Sequence, residues 1–308
     1  MCEANSGEIN ISVIIPTYGT PIFLQKAIES VLSQTFCNFE LIIVDDNNPD
    51  TEARRQTEVL MNIYLSRDKR IKYIKHPRNL NGAVARNTGF AIAKGKYIAL
   101  LDSDDEYLPT RLQCCWDVME RSPIKIAGVY TGCVFKKHGR IYSRFTSVKT
   151  GNFLVPTLAC RFMFCTGSNL FVRSSVVDEL NGFDPKFLRH QDYEFLVRLF
   201  EKYDMEAIPE LLVIKNNENF NLPDINKQIA IKEQYLSKFQ PIIRSLPEKD
   251  QQYIMHSNCV AIAENALSQK MYSISKQYYN KSQIYSKLTF REQCRRIILL
   301  IYNIIKRK

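Results

Sequence analysis

The chain has 308 residues, 45% hydrophobic and 24% charged, with a net charge of +10. This is ordinary globular composition, long enough for one large α/β domain or two smaller ones with a sizeable core. Residues 1–20 lack the basic start and apolar middle of a secretory signal, and no apolar run approaches the ~20 residues of a membrane-spanning helix, so a cytoplasmic chain is expected.

Along the chain, "ISVIIP" (11–16) is a β-branched run closed by a proline, the pattern of a fully buried strand. Thr20 followed by Pro21 predicts a helix N-terminus, with Phe23, Ala27, Ile28, Val31 and Leu32 at helical spacing. "FELIIVDD" predicts a second buried strand ending in Asp45 and Asp46, which completes a βαβ unit. "RIKYIKH" (70–76) alternates like a third strand, "VARNTGFAIAKG" (84–95) reads as a helix stopped by Gly95, and "KYIALL" (96–101) as a fourth strand. Asp45, Asp46 and the cluster Asp102, Ser103, Asp104, Asp105, Glu106 then fall at the C-terminal ends of parallel strands, the edge where open α/β sheets bind ligands.

From about residue 124 the pattern changes to short strands, "IAGVYTGCVF" and "RIYSRF", followed by a helix near 173–180 and a "NGFDPKF" turn. "QDYEFLVRLFEKY" (191–203) is an amphipathic helix with Phe195, Leu196, Leu199 and Phe200 on one face. After about 216 the pattern is helical throughout. Nine cysteines show no C-x-x-C spacing and four histidines stand isolated, so reduced, packed thiols are expected rather than a zinc or redox centre.

The charge is uneven. Residues 226–308 hold 15 Lys or Arg against 5 Asp or Glu, whereas residues 1–225 hold 27 of each. In "FREQCRRIILLIYNIIKRK" a stripe of Phe290, Cys294, Ile297, Ile298, Ile301, Ile304 and Ile305 is flanked by Arg291, Arg295, Arg296, Lys306, Arg307 and Lys308. Such a helix can lie in the headgroup region of an anionic membrane, or it can be an ordinary packed terminal helix.

Four carboxylates within residues 102–106 repel one another unless a cation sits among them. D-x-D spacing at a strand end suits Mg²⁺ or Mn²⁺, which take oxygen ligands and complete their shell with water and substrate phosphates. The competing reading is a solvated loop whose acids cap the following helix.

Three stretches together resemble glycosyltransferase family 2: "SVIIPTYGTPIFLQKAIESVLSQTFCNFELIIVDDNNPD", "NLNGAVARNTGFAIAKGKYIALLDSDDEYLPTRL" and "GFDPKFLRHQDYEFLVRL". The resemblance implies a GT-A fold, Rossmann-like with a mostly parallel sheet flanked by helices, over residues 10–215. A basic helical C-terminal region occupies 216–308. It implies an inverting, hexosyltransferase-type enzyme that uses Mn²⁺ or Mg²⁺ and a nucleotide-sugar donor, usually a UDP-sugar. The acceptor would be a glycan or lipid-linked saccharide in surface polysaccharide synthesis, with peripheral membrane contact through 290–308 at the inner face.

By the same resemblance Pro16, Thr17 and Tyr18 line the nucleotide base, Asp46 hydrogen-bonds it, and Arg86, Asn87 and Gly89 lie near the donor. Asp102 falls near the ribose and Asp104 is the direct metal ligand, with Ser103 between them. Asp192 is the catalytic base; apart from the resemblance, Glu194 is the next residue to test if the base lies elsewhere. Two positions depart from the family pattern, Gly19 after P-T-Y and Gln191 in place of a glutamate. The amide at 191 is expected to lower the pKa of Asp192 slightly.

The residues also allow Asp192 to be a plain helix N-cap. Two other classes stand beside the enzyme reading. A nucleic-acid binder would explain the basic C-terminal part, but the acidic sheet edge opposes phosphate without metal. A catalytically silent nucleotide-sugar-binding or scaffold protein would keep the donor site and lose the base.

Overall fold

The computed structural model describes residues 8–164, 167–216 and 223–305. The chain forms two compact units: Met1–Asn152 with Phe164–Asn219, and Phe153–Met163 with Phe220–Lys308.

The first unit is built on one mixed sheet. Its N-terminal half is parallel, in the order β3-β2-β1-β4, with β1 (Ile11–Thr17), β2 (Phe39–Asp45), β3 (Ile71–Lys75) and β4 (Tyr97–Leu100). Between these strands run α1 (Leu24–Leu32), α2 (Glu52–Arg67) and α3 (Gly82–Ile92). Every residue of β2 is buried, as are all of β1 except Pro16, which is what unbroken β-branched runs imply for strands covered on both faces.

The sheet continues through β5 (Glu106–Tyr107), β6 (Ile126–Lys137), β7 (Arg140–Phe145), β8 (Phe171–Arg173) and β9 (Asp204–Asn216) in the order β4-β8-β6-β9-β5, with β7 paired to β6. β9 runs parallel to β6, while β8 is antiparallel to its neighbours and β5 to β9. Helices α4 (Arg111–Met119), α5 (Leu154–Leu158), α6 (Ser174–Glu179) and α7 (Gln191–Phe200) complete this stretch of chain, α5 falling in the second unit. One core runs along the sheet and includes Ile11, Val13, Ile15, Leu41, Ile43, Tyr97, Ala99, Val129, Phe171 and Val213.

Several boundaries differ from the sequence reading. Residues 21–23 form a turn, so α1 starts at Leu24 without a side-chain cap and Thr20 does not cap it. α3 begins two residues early because Asn81, at φ 83°, accepts the N–H groups of Ala83 and Val84. It ends at Ile92, three residues before Gly95. Gly95 serves a different purpose. A Cβ there would lie 2.4 Å from the backbone nitrogen of Ser12, so the glycine lets this loop sit against β1. Gly95→Ala is therefore expected to cost about 1–3 kcal/mol of stability, the scale of forced overpacking, read as a lower urea midpoint.

The second unit is helical: α5 with α8 (Ile225–Lys238), α9 (Gln240–Ser245), α10 (Glu248–Ser268), α11 (Tyr272–Gln283) and α12 (Phe290–Ile305). Its core gathers Ile225, Cys259, Ile262, Ala263, Ala266, Leu267, Tyr278 and Tyr279. α12 packs by its polar side. Asn303 Nδ2 donates to Leu267 O at 2.6 Å, Arg295 pairs with Glu264, and Glu292 meets His256. The described part of the apolar stripe faces outward, with Phe290 79% exposed, Ile298 64% and Ile301 50%. Lys306, Arg307 and Lys308 and the side chains of Ile304 and Ile305 lie outside the described residues. No helix among the described residues is long and apolar enough to cross a membrane.

Cys114, Cys115, Cys133, Cys259 and Cys294 are free thiols. Cys37 is disulfide-bonded, against the expectation of reduced thiols throughout. Cys2 and Cys165 lie outside the described residues.

Candidate active site

The chain leaves β4 and turns through residues 102–105 into β5. Asp102, Asp104 and Asp105 each bring a carboxylate oxygen within 4.8 Å of the others. Two cations from the protein stand among them. Arg86, on α3, donates from Nη2 to Asp102 Oδ1 at 2.6 Å. Lys215, at the end of β9, places Nζ 3.3 Å from Asp105 Oδ2 and 3.8 Å from Asp102 Oδ2.

Strand register explains the second contact. Glu106 and Tyr107 pair with Ile214 and Val213, so the next residues along each strand, Asp105 and Lys215, are brought together. Asn216 adds a clamp, its N–H on Asp105 Oδ1 and its amide on Asp104 O and Glu106 Oε1. Ser168 closes the turn from the other side: its hydroxyl donates to Asp105 Oδ2 at 2.5 Å and accepts the N–H of Asp102. Beneath it the wholly buried Arg111 donates to Thr131 Oγ1, Asn169 Oδ1 and Ser168 O.

Burial pushes the Asp105 carboxyl up to about 7, against the pull of Lys215 and with the push of Asp102 and Asp104. Burial also raises Asp104, again opposed by Lys215. The difference between the two lies in their partners. Asp105 is held by Ser168, Lys215 and Asn216, whereas Asp104's carboxylate has no donor from another residue among the described ones. Ser103 sits in the turn, partly exposed.

On the neighbouring strand ends, Pro16 and Thr17 close β1, and Tyr18 projects into solvent, 65% exposed. Gly19, at φ 84°, donates its N–H to Asn47 Oδ1. Asp46 is buried with both oxygens engaged. Oδ1 receives Leu80 N–H and faces His76 Nδ1 at 2.7 Å, while Oδ2 receives Asn79 Nδ2 and Asn81 N–H. That uses the lone-pair capacity of a carboxylate. Asp46 thus organises the 76–81 loop, and a base reaching it has to displace one of these donors. Asp45 is likewise committed, to Tyr73 OH, Asn47 and Arg54.

The third part is the start of α7. The N-cap position belongs to His190, in the left-handed region at φ 60°. Asp192 lies inside the first turn, where its Oδ1 accepts the adjacent Tyr193 N–H, so the plain cap reading does not hold. Burial raises its pKa, opposed by the Tyr193 N–H and by Arg86. The rise is set by burial and is separate from the smaller effect of having an amide rather than a carboxylate at Gln191.

Gln191 donates to Phe187 O and accepts Arg86 Nη1 at 3.1 Å. One guanidinium therefore bridges α7 and the acidic turn. Glu194 is fully buried in a bidentate pair with Arg198, at 2.6 and 2.7 Å, and breaking such a pair costs ~3–5 kcal/mol. Its geometry is that of a structural acid.

Lys215, Asn216, Ser168, His76 and Arg111 do not stand out in the sequence. Only "LLVIKNN", an apolar run ending in a cation, carries a strand-end signal like those of β2 and β4.

A sheet ordered 3-2-1-4, an acidic turn after its fourth strand and a late helix carrying an aspartate in its first turn define a glycosyltransferase of the GT-A type. The chain belongs to glycosyl transferase family 2, whose model matches residues 12–180. It is 34% identical over 226 residues to an uncharacterized glycosyltransferase of Methanocaldococcus jannaschii, covering 71% of this chain and 75% of that one. It is 30% identical over 205 residues to the amylovoran biosynthesis glycosyltransferase AmsB of Erwinia amylovora, covering 62% and 64%. In fold it is similar to S. aureus TarS crystallised with UDP, at a TM-score of 0.56 and 15% identity over 90% of this chain and 88% of that one.

Proposed function

We propose that this glycosyltransferase moves a sugar, with inversion, from a UDP-sugar to a glycan or lipid-linked acceptor in surface polysaccharide synthesis. The carrying observation is the Arg86 bridge, which joins a metal-type acidic turn to Gln191 on a separate helix, next to Asp192, whose pKa burial raises. Such a pair serves the two ends of a displacement: Asp192 takes the acceptor hydroxyl proton, and the acidic turn faces the leaving diphosphate. Pro16, Thr17 and Tyr18 line the base, with Asp46 behind them holding the loop. AmsB's name and TarS's bound UDP support the substrate class.

The residues fit a divalent cation, because Asp104 is a desolvated carboxylate with no donor from another residue among the described ones, and Asp102 and Asp105 stand beside it. Asp104, with Asp102, would hold Mn²⁺ or Mg²⁺, which neutralises charge on the departing diphosphate when bound. A thermal-shift screen of nucleotide sugars with Mn²⁺ tests the reading, since a ligand of the folded state raises Tm. No shift with any UDP-sugar would remove it.

The outward apolar stripe and basic flank of α12 support peripheral contact with an anionic membrane. Truncation after Thr289 is expected to abolish sedimentation with anionic liposomes, and high salt to weaken it in the full chain. Equal sedimentation with and without the helix would exclude this contact.

A further inference from the structure

Resting on the metal part of that reading, we propose that Lys215 is a built-in counter-ion of the acidic turn, and that its ammonium, held by Asp105 and Asp102, competes with the divalent cation for Asp102. Three carboxylates packed this closely are not tenable without positive charge. Among the described residues, Arg86 and Lys215 supply it.

The ammonium is not a chance surface contact. Its side chain is only 20% exposed, it is delivered by β9 register, and the next residue, Asn216, is pinned to the same turn at 3.1, 2.8 and 3.0 Å.

A divalent cation on Asp104 and Asp102 arrives beside this ammonium and shares a carboxylate with it. Like charges at such range shift an ionic equilibrium by roughly one to three powers of ten. Lys215 is therefore a positioning residue that keeps the turn folded and, in the same contacts, weakens metal binding to the free site.

The test is titration of the full chain with Mn²⁺ alone, by calorimetry, for the unaltered protein, Lys215→Met and Lys215→Arg. Lys215→Met is expected to bind Mn²⁺ about tenfold or more tightly, and Lys215→Arg, which keeps the charge, to bind close to the unaltered protein. Unchanged or weaker binding in Lys215→Met overturns the proposal. If Lys215→Met does not fold, Lys215→Gln, which keeps a donor for Asp105, takes its place: tighter binding supports the proposal, and unchanged or weaker binding overturns it. Absence of Mn²⁺ binding in every form removes the metal site itself, an outcome distinct from equal binding in all of them.

Discussion

Asp192→Asn is expected to bind UDP and Mn²⁺ as the unaltered enzyme does while transferring sugar about 10²–10⁴-fold more slowly, the usual contribution of a general base. Asparagine keeps the size of the side chain, and its amide oxygen still accepts the Tyr193 N–H, so α7 keeps its start. What it loses is the proton acceptor. Because burial raises the pKa of Asp192, transfer should rise with pH through a limb above the ordinary aspartate range, and the limb should vanish in the variant. The base must be ionised to work, and a raised pKa delays that ionisation to higher pH. Near-normal turnover of the variant on its acceptor would place the base elsewhere. Glu194 is then a poor substitute, because Arg198 holds both its oxygens.

Asp104→Ala is expected to abolish Mn²⁺-dependent UDP binding and leave the melting temperature unchanged or slightly raised. Asn216 is tied to the backbone carbonyl of residue 104, not to its carboxylate, so that clamp survives truncation. Removing the carboxylate also removes a repulsion that acts on Asp105. Calorimetry with UDP and Mn²⁺ decides the first half and thermal melting the second. Retained Mn²⁺-dependent affinity would show that Asp104 is not the ligand.

The parts of this molecule that local pattern controls are legible in its sequence. β1, β2 and β4 are continuous apolar runs, and a run of that kind has few alternatives to a buried strand. α7 declares itself through Phe195, Leu196, Leu199 and Phe200, all buried as expected. β9 is not legible: "DMEAIPELLVIKN" breaks its pattern with Pro209, and its place between β6 and β5 is a matter of long-range pairing. Lys215 and Asn216 escape a sequence reading for that reason, since their meaning depends on residues 110 to 112 positions away. Asp46 shows the converse. Its position at a strand end can be read, but the closure of the 76–81 loop around its carboxylate cannot, because backbone N–H groups carry no sequence signature.

The two contacts of Arg86, on α3, have a kinetic meaning. The guanidinium holds Gln191 by one nitrogen and Asp102 by the other, so α7, which carries Asp192, and the acidic turn after β4 cannot shift independently. On the proposed reading, a donor diphosphate that drew on Arg86 would change its hold on Gln191 as well, so that donor binding and the placing of Asp192 would be coupled. Steady-state kinetics should then show an ordered sequence, donor first and nucleotide released last.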